Sequence, residues 1–264
     1  MRLLTLNAWG GALHDDLVPW LVGSDADVQC LQEVTRTAHR SGWATFADGE
    51  RTLPQRLNLL ADVSSALAGW SPHFVASESG PVTDADGVEC QQDLGLATWV
   101  RDDHPVIGID ARFIHSGFTD HREWARGDRP RAALTVTVRD RTADRTVSVV
   151  QVHGLRDPAG KHDTPARRAQ AARLAEIVES QRSTSDLTVL CGDLNLLPTS
   201  DTFRVLRDVG MVDLVGSADT RTSRYTKDVR SASYLLVSSV DAVRRLEVVT
   251  RPEVSDHRAL LLEV

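Results

Sequence analysis

The sequence predicts an α/β protein in which two mixed β-sheets pack face to face with helices outside. Three features lead there. Apolar runs of strand length recur along the whole chain. Two of them, "AALTVTVRD" and "TVSVVQVH", are split by the polar turn "RDRTADR" and read as a hairpin, which breaks any strict strand–helix–strand winding. Helical spacing is confined to a few separate segments. No repeat, linker or low-complexity stretch divides the 264 residues, so one domain over residues 1–264 is expected.

In chain order, "RLLTLNAW" is a strand beginning at Arg2. Asp15–Val22 carries Leu17, Trp20 and Leu21 on one helical face. "ADVQCLQEV" is a near-continuous apolar strand ending in a carboxylate. Pro54 is suited to open a helix, and Leu57, Leu60, Ala61, Ser64 and Leu67 keep helical spacing to about Ala68. "LGLATWV" and "PVIGIDARFIH" read as strands. The polar stretches Ser77–Asp93 and Ser116–Pro130 read as long loops that shape specificity. Thr164–Arg182 is the most regular helix, with Ala171, Leu174, Ala175 and Val178 inward. "DLTVLCGDLN" is a buried strand, followed by a helix from Ser200 to Val209 capped by Thr199 or Ser200. "SYLLVSS", "RRLEVVT" and "RALLLEV" close the chain as strands.

The formal net charge is −7 and there is no long basic run. Tight, non-specific binding along extended nucleic acid is therefore disfavoured, although a metal site can supply local positive charge. Cys30, Cys90 and Cys191 match neither a disulfide framework nor a metal finger. Cys30 and Cys191 lie in apolar runs and read as buried thiols of a reducing compartment. "MRLLTLNAWGG" lacks a signal-peptide core, and no apolar stretch is long enough to cross a bilayer. A cytoplasmic monomer without a membrane partner is expected.

Polar, metal-capable residues recur where apolar strands end. The positions are Asn7, Gln32-Glu33, His153, and Asp193 with Asn195; Ser255-Asp256-His257 stands just before the last strand. Singly, each has a plain structural reading: a turn cap, a helix N-cap, a satisfied histidine, a surface pair. Together they mark one rim of a sheet converging on a cleft, and hard oxygen donors with histidines suit Mg²⁺ or Mn²⁺. A Ser-His-Asp hydrolase does not fit. Ser255, Asp256 and His257 are adjacent, neighbouring side chains on an extended segment diverge, and no Gly-x-Ser-x-Gly elbow occurs.

"LTLNAWG", "DVQCLQEV", "VVQVHGL", "VLCGDLNLLP" and "VSDHRALLLEV" resemble, in order, the motifs of the endonuclease/exonuclease/phosphatase superfamily, from Arg2 to Val264. The resemblance implies a four-layer α/β sandwich and divalent-metal-dependent hydrolysis of a phosphoester, in a small molecule or a nucleic acid. It implies Glu33, Asp256 and Asn7 as the metal-site residues, with Asn7 either binding the ion or holding a ligand in place. Asp193 is expected to align or deprotonate the attacking water, with Asn195 beside it. His257 and His153 are expected to donate to the phosphate from opposite sides. Arg156 and Lys161, in the Gly/Pro loop after His153, are candidate substrate contacts. Arg129 and Arg131 flank Pro130 and are placed to reach the cleft.

One position departs from the pattern. Relatives commonly carry an aspartate where "RSASYLLVSS" has Ser233, and that aspartate pairs with the terminal histidine, here His257. Serine accepts a hydrogen bond but brings no counter-charge, so a less basic His257 is one expectation. A substitute carboxylate, Asp228 or Asp241, is a second. A disabled site, leaving a phosphate-ligand binding or regulatory protein, is the third. The retained Glu33, His153, Asp193, Asn195, Asp256 and His257 favour an enzyme over the last.

Overall fold

The computed structural model describes residues 1–49, 51–157 and 160–264. The chain runs β1 (Arg2–Asn7), α1 (His14–Gly23), β2 (Val28–Arg36), β3 (Trp43–Ala47), β4 (Thr52–Arg56), α2 (Leu59–Ala66), β5 (Trp70–Asp84) and β6 (Glu89–Arg101). It continues through β7 (Val106–His115), β8 (Thr119–Asp120), β9 (Arg131–Asp140), β10 (Arg145–His153), α3 (Pro165–Arg182) and β11 (Leu187–Asp193). The last elements are α4 (Asp201–Asp208), β12 (Val212–Asp213), β13 (Ser233–Val237), β14 (Arg245–Val248) and β15 (Leu260–Glu263). Among the described residues one sheet has the order β14-β15-β1-β2-β6-β5-β3-β4, with β8 beside β5, and the other β12-β13-β11-β10-β9-β7. Both are mixed: β1 and β2 are parallel, as are β10 and β11, within otherwise mostly antiparallel ladders.

Strand alternation sorts the layers. On β1, Leu4 and Leu6 pack with Leu17 and Leu21 of α1 and Val63 of α2. Leu3 faces the other way and joins Val28, Cys30 and Leu96 against Val149, Val189 and Leu235 of the second sheet. Leu174, Ile177 and Val178 of α3 and Leu206 of α4 cover that sheet's outer face. This is the expected four-layer sandwich. Cys30 and Cys191 are buried free thiols, as expected. No helix among the described residues is long and apolar enough to cross a membrane.

Two expectations are corrected. The helix does not open at Pro54. Residues 52–56 form β4, the outer strand of its sheet, where a residue without an N–H is tolerated. The helical spacing is real but begins at Leu59, where the Asn58 side chain accepts from Ala61 N at 3.1 Å and caps α2. Ser77–Asp93 is not a loop either. β5 and β6 form a long ribbon paired as far as Thr83↔Glu89, and its polarity reflects exposure of its far end. The tip turns where Asp84 Oδ1 accepts from the backbone N of Asp86 and Val88. The second stretch, residues 116–130, has only the two-residue β8 and is otherwise irregular. α3 and α4 form as expected, with Thr164 and Ser200 as their caps.

The ribbon carries a buried charge cluster. A bulge between Ala76 and Glu78 accompanies a Glu78 carboxylate with no solvent exposure. Arg129 Nε donates to both its oxygens at 2.9 and 2.8 Å, Arg131 Nη1 lies 3.5 Å away, and His121 Nε2 is 3.0 Å from Oε2. The Arg129 guanidinium also stacks on Trp124, 4.7 Å from the ring centre.

Two stability outcomes follow. Gly192 has φ 135°, and a Cβ there would stand 2.0 Å from Val152 O. Gly192→Ala is expected to lower the unfolding free energy by about 2–4 kcal/mol, from backbone strain and overpacking. Glu78→Gln leaves two buried guanidinium groups short of a counter-charge and should cost about 3–5 kcal/mol. Urea denaturation followed by circular dichroism measures both; wild-type midpoints would refute them.

Candidate functional site

Between the sheets the inward-facing residues change character along the strands. Past the apolar core, Gln32 Nε2 donates to Thr5 Oγ1 (3.2 Å) and, across the gap, to Gln151 Oε1 (3.0 Å). Period two then carries Thr5 to Asn7 on β1, Gln151 to His153 on β10 and Cys191 to Asp193 on β11, all on the inner side. In parallel pairing His153 stands directly beside Asp193.

Glu33 reaches this rim by a different device. Simple alternation would put it on the outer face with Leu31. A β-bulge between Gln32 and Val34, with Glu33 at φ 54°, adds the extra residue and re-aims its side chain. Asn195 was expected on an extended segment, and here the structure differs. β11 ends at Asp193, and Asn195 sits in a left-handed turn (φ 54°), its N donating to Asp193 Oδ1 at 3.0 Å. Its Nδ2 lies 3.5 Å from Gly154 O.

The expected residues from both sheets converge. Asn7 Nδ2 donates to Glu33 Oε1 (3.2 Å) and Asp193 Oδ2 (3.1 Å), while its Oδ1 accepts from Trp9 N (3.0 Å). His257 Nε2 is 3.3 Å from Asp193 Oδ2 and 3.9 Å from Asp256 Oδ1. His153 Nε2 stands 3.8 Å from Glu33 Oε1 and 3.9 Å from Asp193 Oδ2. Ser255 Oγ donates to Asn7 O at 2.6 Å, which ties the terminal motif to the first strand. Ser233 Oγ and His257 Nδ1 are 2.9 Å apart, so the serine occupies the position at the ring where a carboxylate was expected. Neither Asp228 nor Asp241 pairs with His257 among the described residues; both are exposed.

Burial and charge set the protonation of the cluster. Burial pushes Asp256 up to about 7, opposed by Arg221 and helped by Glu33 and Asp193. Burial, and secondarily Arg221, holds His257 well below the usual imidazole range. Burial, then Arg131, does the same to His153. Three converging carboxylates, one lifted towards neutrality chiefly by burial, are a donor set short of positive charge. Hard oxygen atoms of this kind fit Mg²⁺ or Mn²⁺. Among the described residues no three His, Cys, Asp or Glu side chains form a ready-made metal cage. Glu33 and Asp256 are the carboxylates available to such an ion, which ordinarily keeps several water ligands.

The cluster forms the floor of a cleft of about 580 Å³. Arg156 and Lys161 both line it, and Lys161 Nζ donates to Ser231 O at 2.5 Å. Pro158 and Ala159 of their loop lie outside the described residues. Arg129 and Arg131 also line it. Sequence reasoning missed Arg221, whose Nη1 donates to Asp256 Oδ2 at 2.7 Å and whose guanidinium covers Tyr225 at 4.1 Å. Residues 220–222 reach Asp256 by bridging to 256–258, a pairing between segments too irregular to read from the sequence. Phe46 was missed as a lining residue because β3 and β4 were not foreseen, and Trp9 because it leaves the expected first strand in a short turn with φ 51°.

Comparisons with known proteins bear on the fold. No curated protein matches the chain. A functionally unknown conserved protein of Enterococcus faecalis V583 superposes with a TM-score of 0.70 at 18% identity, covering 100% of this chain and 98% of that one. A mannosyl-6-phosphatase of Bacteroides thetaiotaomicron VPI-5482 gives 0.66 at 14% identity, covering 100% and 98%. The human Nocturnin catalytic domain, solved with bound sulfate, gives 0.64 at 18%, covering 99% and 93%. At these identities the likeness is one of fold. The sequence profile of the Endonuclease/Exonuclease/phosphatase family matches residues 4–257, and the chain belongs to that family.

Proposed function

We propose that the protein is a Mg²⁺- or Mn²⁺-dependent phosphoester hydrolase that uses water as nucleophile. The observation that carries the reading is the convergence on Asp193 Oδ2 of Asn7 from one sheet and His257 from the segment before β15. Membership of the family supports it, and the mannosyl-6-phosphatase among the structural neighbours keeps monoesters in view.

Glu33 and Asp256 would hold the divalent ion, which when bound withdraws charge from a non-bridging phosphate oxygen. Asn7 has both amide protons committed to carboxylates, so its role is to orient Glu33 and Asp193. Asp193 accepts the proton of the attacking water or aligns it. Asn195, fixed beside Asp193 by its own backbone, offers its side-chain amide to the phosphate. His153 and His257 flank the same carboxylate and face the phosphate as neutral donors. Arg156 and Lys161 bind anionic parts of the substrate. Ser233 keeps the His257 ring oriented without charging it.

Two outcomes test the reading. Hydrolysis of bis(4-nitrophenyl) phosphate, 4-nitrophenyl phosphate or single-stranded DNA should depend on Mg²⁺ or Mn²⁺ and fall about 10²–10⁴-fold in Asp193→Ala. Turnover that survives EDTA, or that Asp193→Ala retains, would sink it. The second concerns charge on the ring. A carboxylate beside Nδ1 stabilises the imidazolium, so Ser233→Asp should raise the His257 pKa by about 1–3. An NMR titration of the imidazole resonances that shows the same midpoint in both proteins would refute this.

A further inference from the structure

The cleft has two unlike walls. On the side of the larger sheet it is lined by Trp9, Phe46, Leu53 and Leu94. Phe46 and Leu53 are direct cross-strand partners on β3 and β4, so they form one continuous apolar surface. On the side of the smaller sheet it is lined by Lys161, Arg221, Arg224 and Lys227. Lys161 is anchored on Ser231 O, just before β13, and Arg221, Arg224 and Lys227 belong to the segment between β12 and β13. The acidic floor lies between these walls.

The charge balance of the cleft runs against that of the chain. The whole sequence carries −7, yet nine basic side chains and five carboxylates line the cleft among the described residues. Much of the positive charge is already committed. Arg129 and Arg131 face Glu78, Arg51 holds Asp48, and Arg221 faces Asp256. Lys161 has a backbone carbonyl as its hydrogen-bond acceptor, and burial lowers its pKa to about 8, a shift that a bound anion would oppose. Arg221 Nε is buried with no hydrogen-bond partner among the described residues. Arg224 and Lys227 are exposed at the mouth; Arg224 shares the field of Glu253, and Asp228 adjoins Lys227. Arg51 and Arg129 also stack on Phe46 of the apolar wall, but each is paired there with a carboxylate; the remaining cations of the other wall suit an anion beyond the reacting phosphate.

We propose that the substrate is a small phosphoester bearing a flat apolar group on one side of the scissile phosphate and a second anionic group on the other. The flat group rests on Trp9, Phe46 and Leu53, and the second anion is held by Lys161, Arg224 and Lys227. This rests on the hydrolase reading for the position of the scissile phosphate, between the walls. The cleft volume, about 580 Å³, is that of a small-molecule site.

The experiment uses two esters that share a scissile bond, the 4-nitrophenyl ester of thymidine 5′-phosphate with and without a 3′-phosphate. Calorimetry with Mg²⁺ present compares thymidine 3′,5′-bisphosphate with thymidine 5′-phosphate. The 3′-phosphate is expected to improve kcat/KM and affinity at least about tenfold, with an advantage that shrinks as salt rises. In Arg224→Gln/Lys227→Gln the ratio between paired compounds should fall to within about threefold, whatever the absolute rates. Turnover of both esters with no preference, and equal affinities, overturns the subsite and leaves the hydrolase reading intact. A binding preference without turnover keeps the subsite and removes the hydrolase reading. Neither turnover nor preference removes both. An eight-residue oligothymidylate that outcompetes the bisphosphate overturns the small-molecule assignment.

Discussion

One side chain joins the two halves of this protein at its working end. Asn7 stands on β1 of the larger sheet and donates one amide proton to Glu33 of the same sheet and the other to Asp193 of the smaller sheet. Its own carbonyl oxygen is fixed by Trp9 N, and its backbone carbonyl by Ser255. Two carboxylates held by one amide cannot drift apart as the sheets slide. Deeper in, the Gln32–Gln151 bond makes a second tie across the same gap.

That arrangement concentrates negative charge in a poorly solvated place. Asp256 responds by moving towards neutrality, and Arg221 partly compensates. Burial first, and arginines second, lower the pKa of the two histidines against the pull of the carboxylates. Ser233 belongs to the same economy of charge. A carboxylate at that position would be a further buried anion near Asp193 and Asp256, whereas a hydroxyl orients His257 and adds none. Arg221 and Lys161 supply positive charge beside the ring from other directions. Seen this way, the departure at position 233 accompanies a redistribution of charge around His257.

Substrate selection is a matter for the walls. The cations come from the 156–167 loop, the start of β9, the segment between β12 and β13 and, as Arg51, the β3–β4 hairpin, which also supplies the apolar surface from far away in sequence. None of these segments is strongly basic or apolar by itself. An overall acidic protein thus presents a locally cationic wall. Net charge speaks to the average field, and a cleft with low-dielectric sides samples only what lines it.

The sequence by itself determined the layers and the inward residues of the rim. Period-two alternation in "LTLNAW", "VVQVH" and "VLCGDLN" fixes which side chains face inward, because a strand leaves each residue only two directions. Asn7, His153 and Asp193 were legible because each is a polar residue at the end of an apolar run. Tertiary structure decided what alternation cannot express. Glu33 is aimed by a bulge, and Asn195 is turned inward by a left-handed residue. Pro54 lies in an outer strand because β3 and β5 were there to pair, and Ser77–Asp93 became ribbon because two polar strands satisfied each other's backbone. Arg221 and the cationic wall depend on contacts between irregular segments. Such contacts have no period, so their positions are set only when the chain closes on itself.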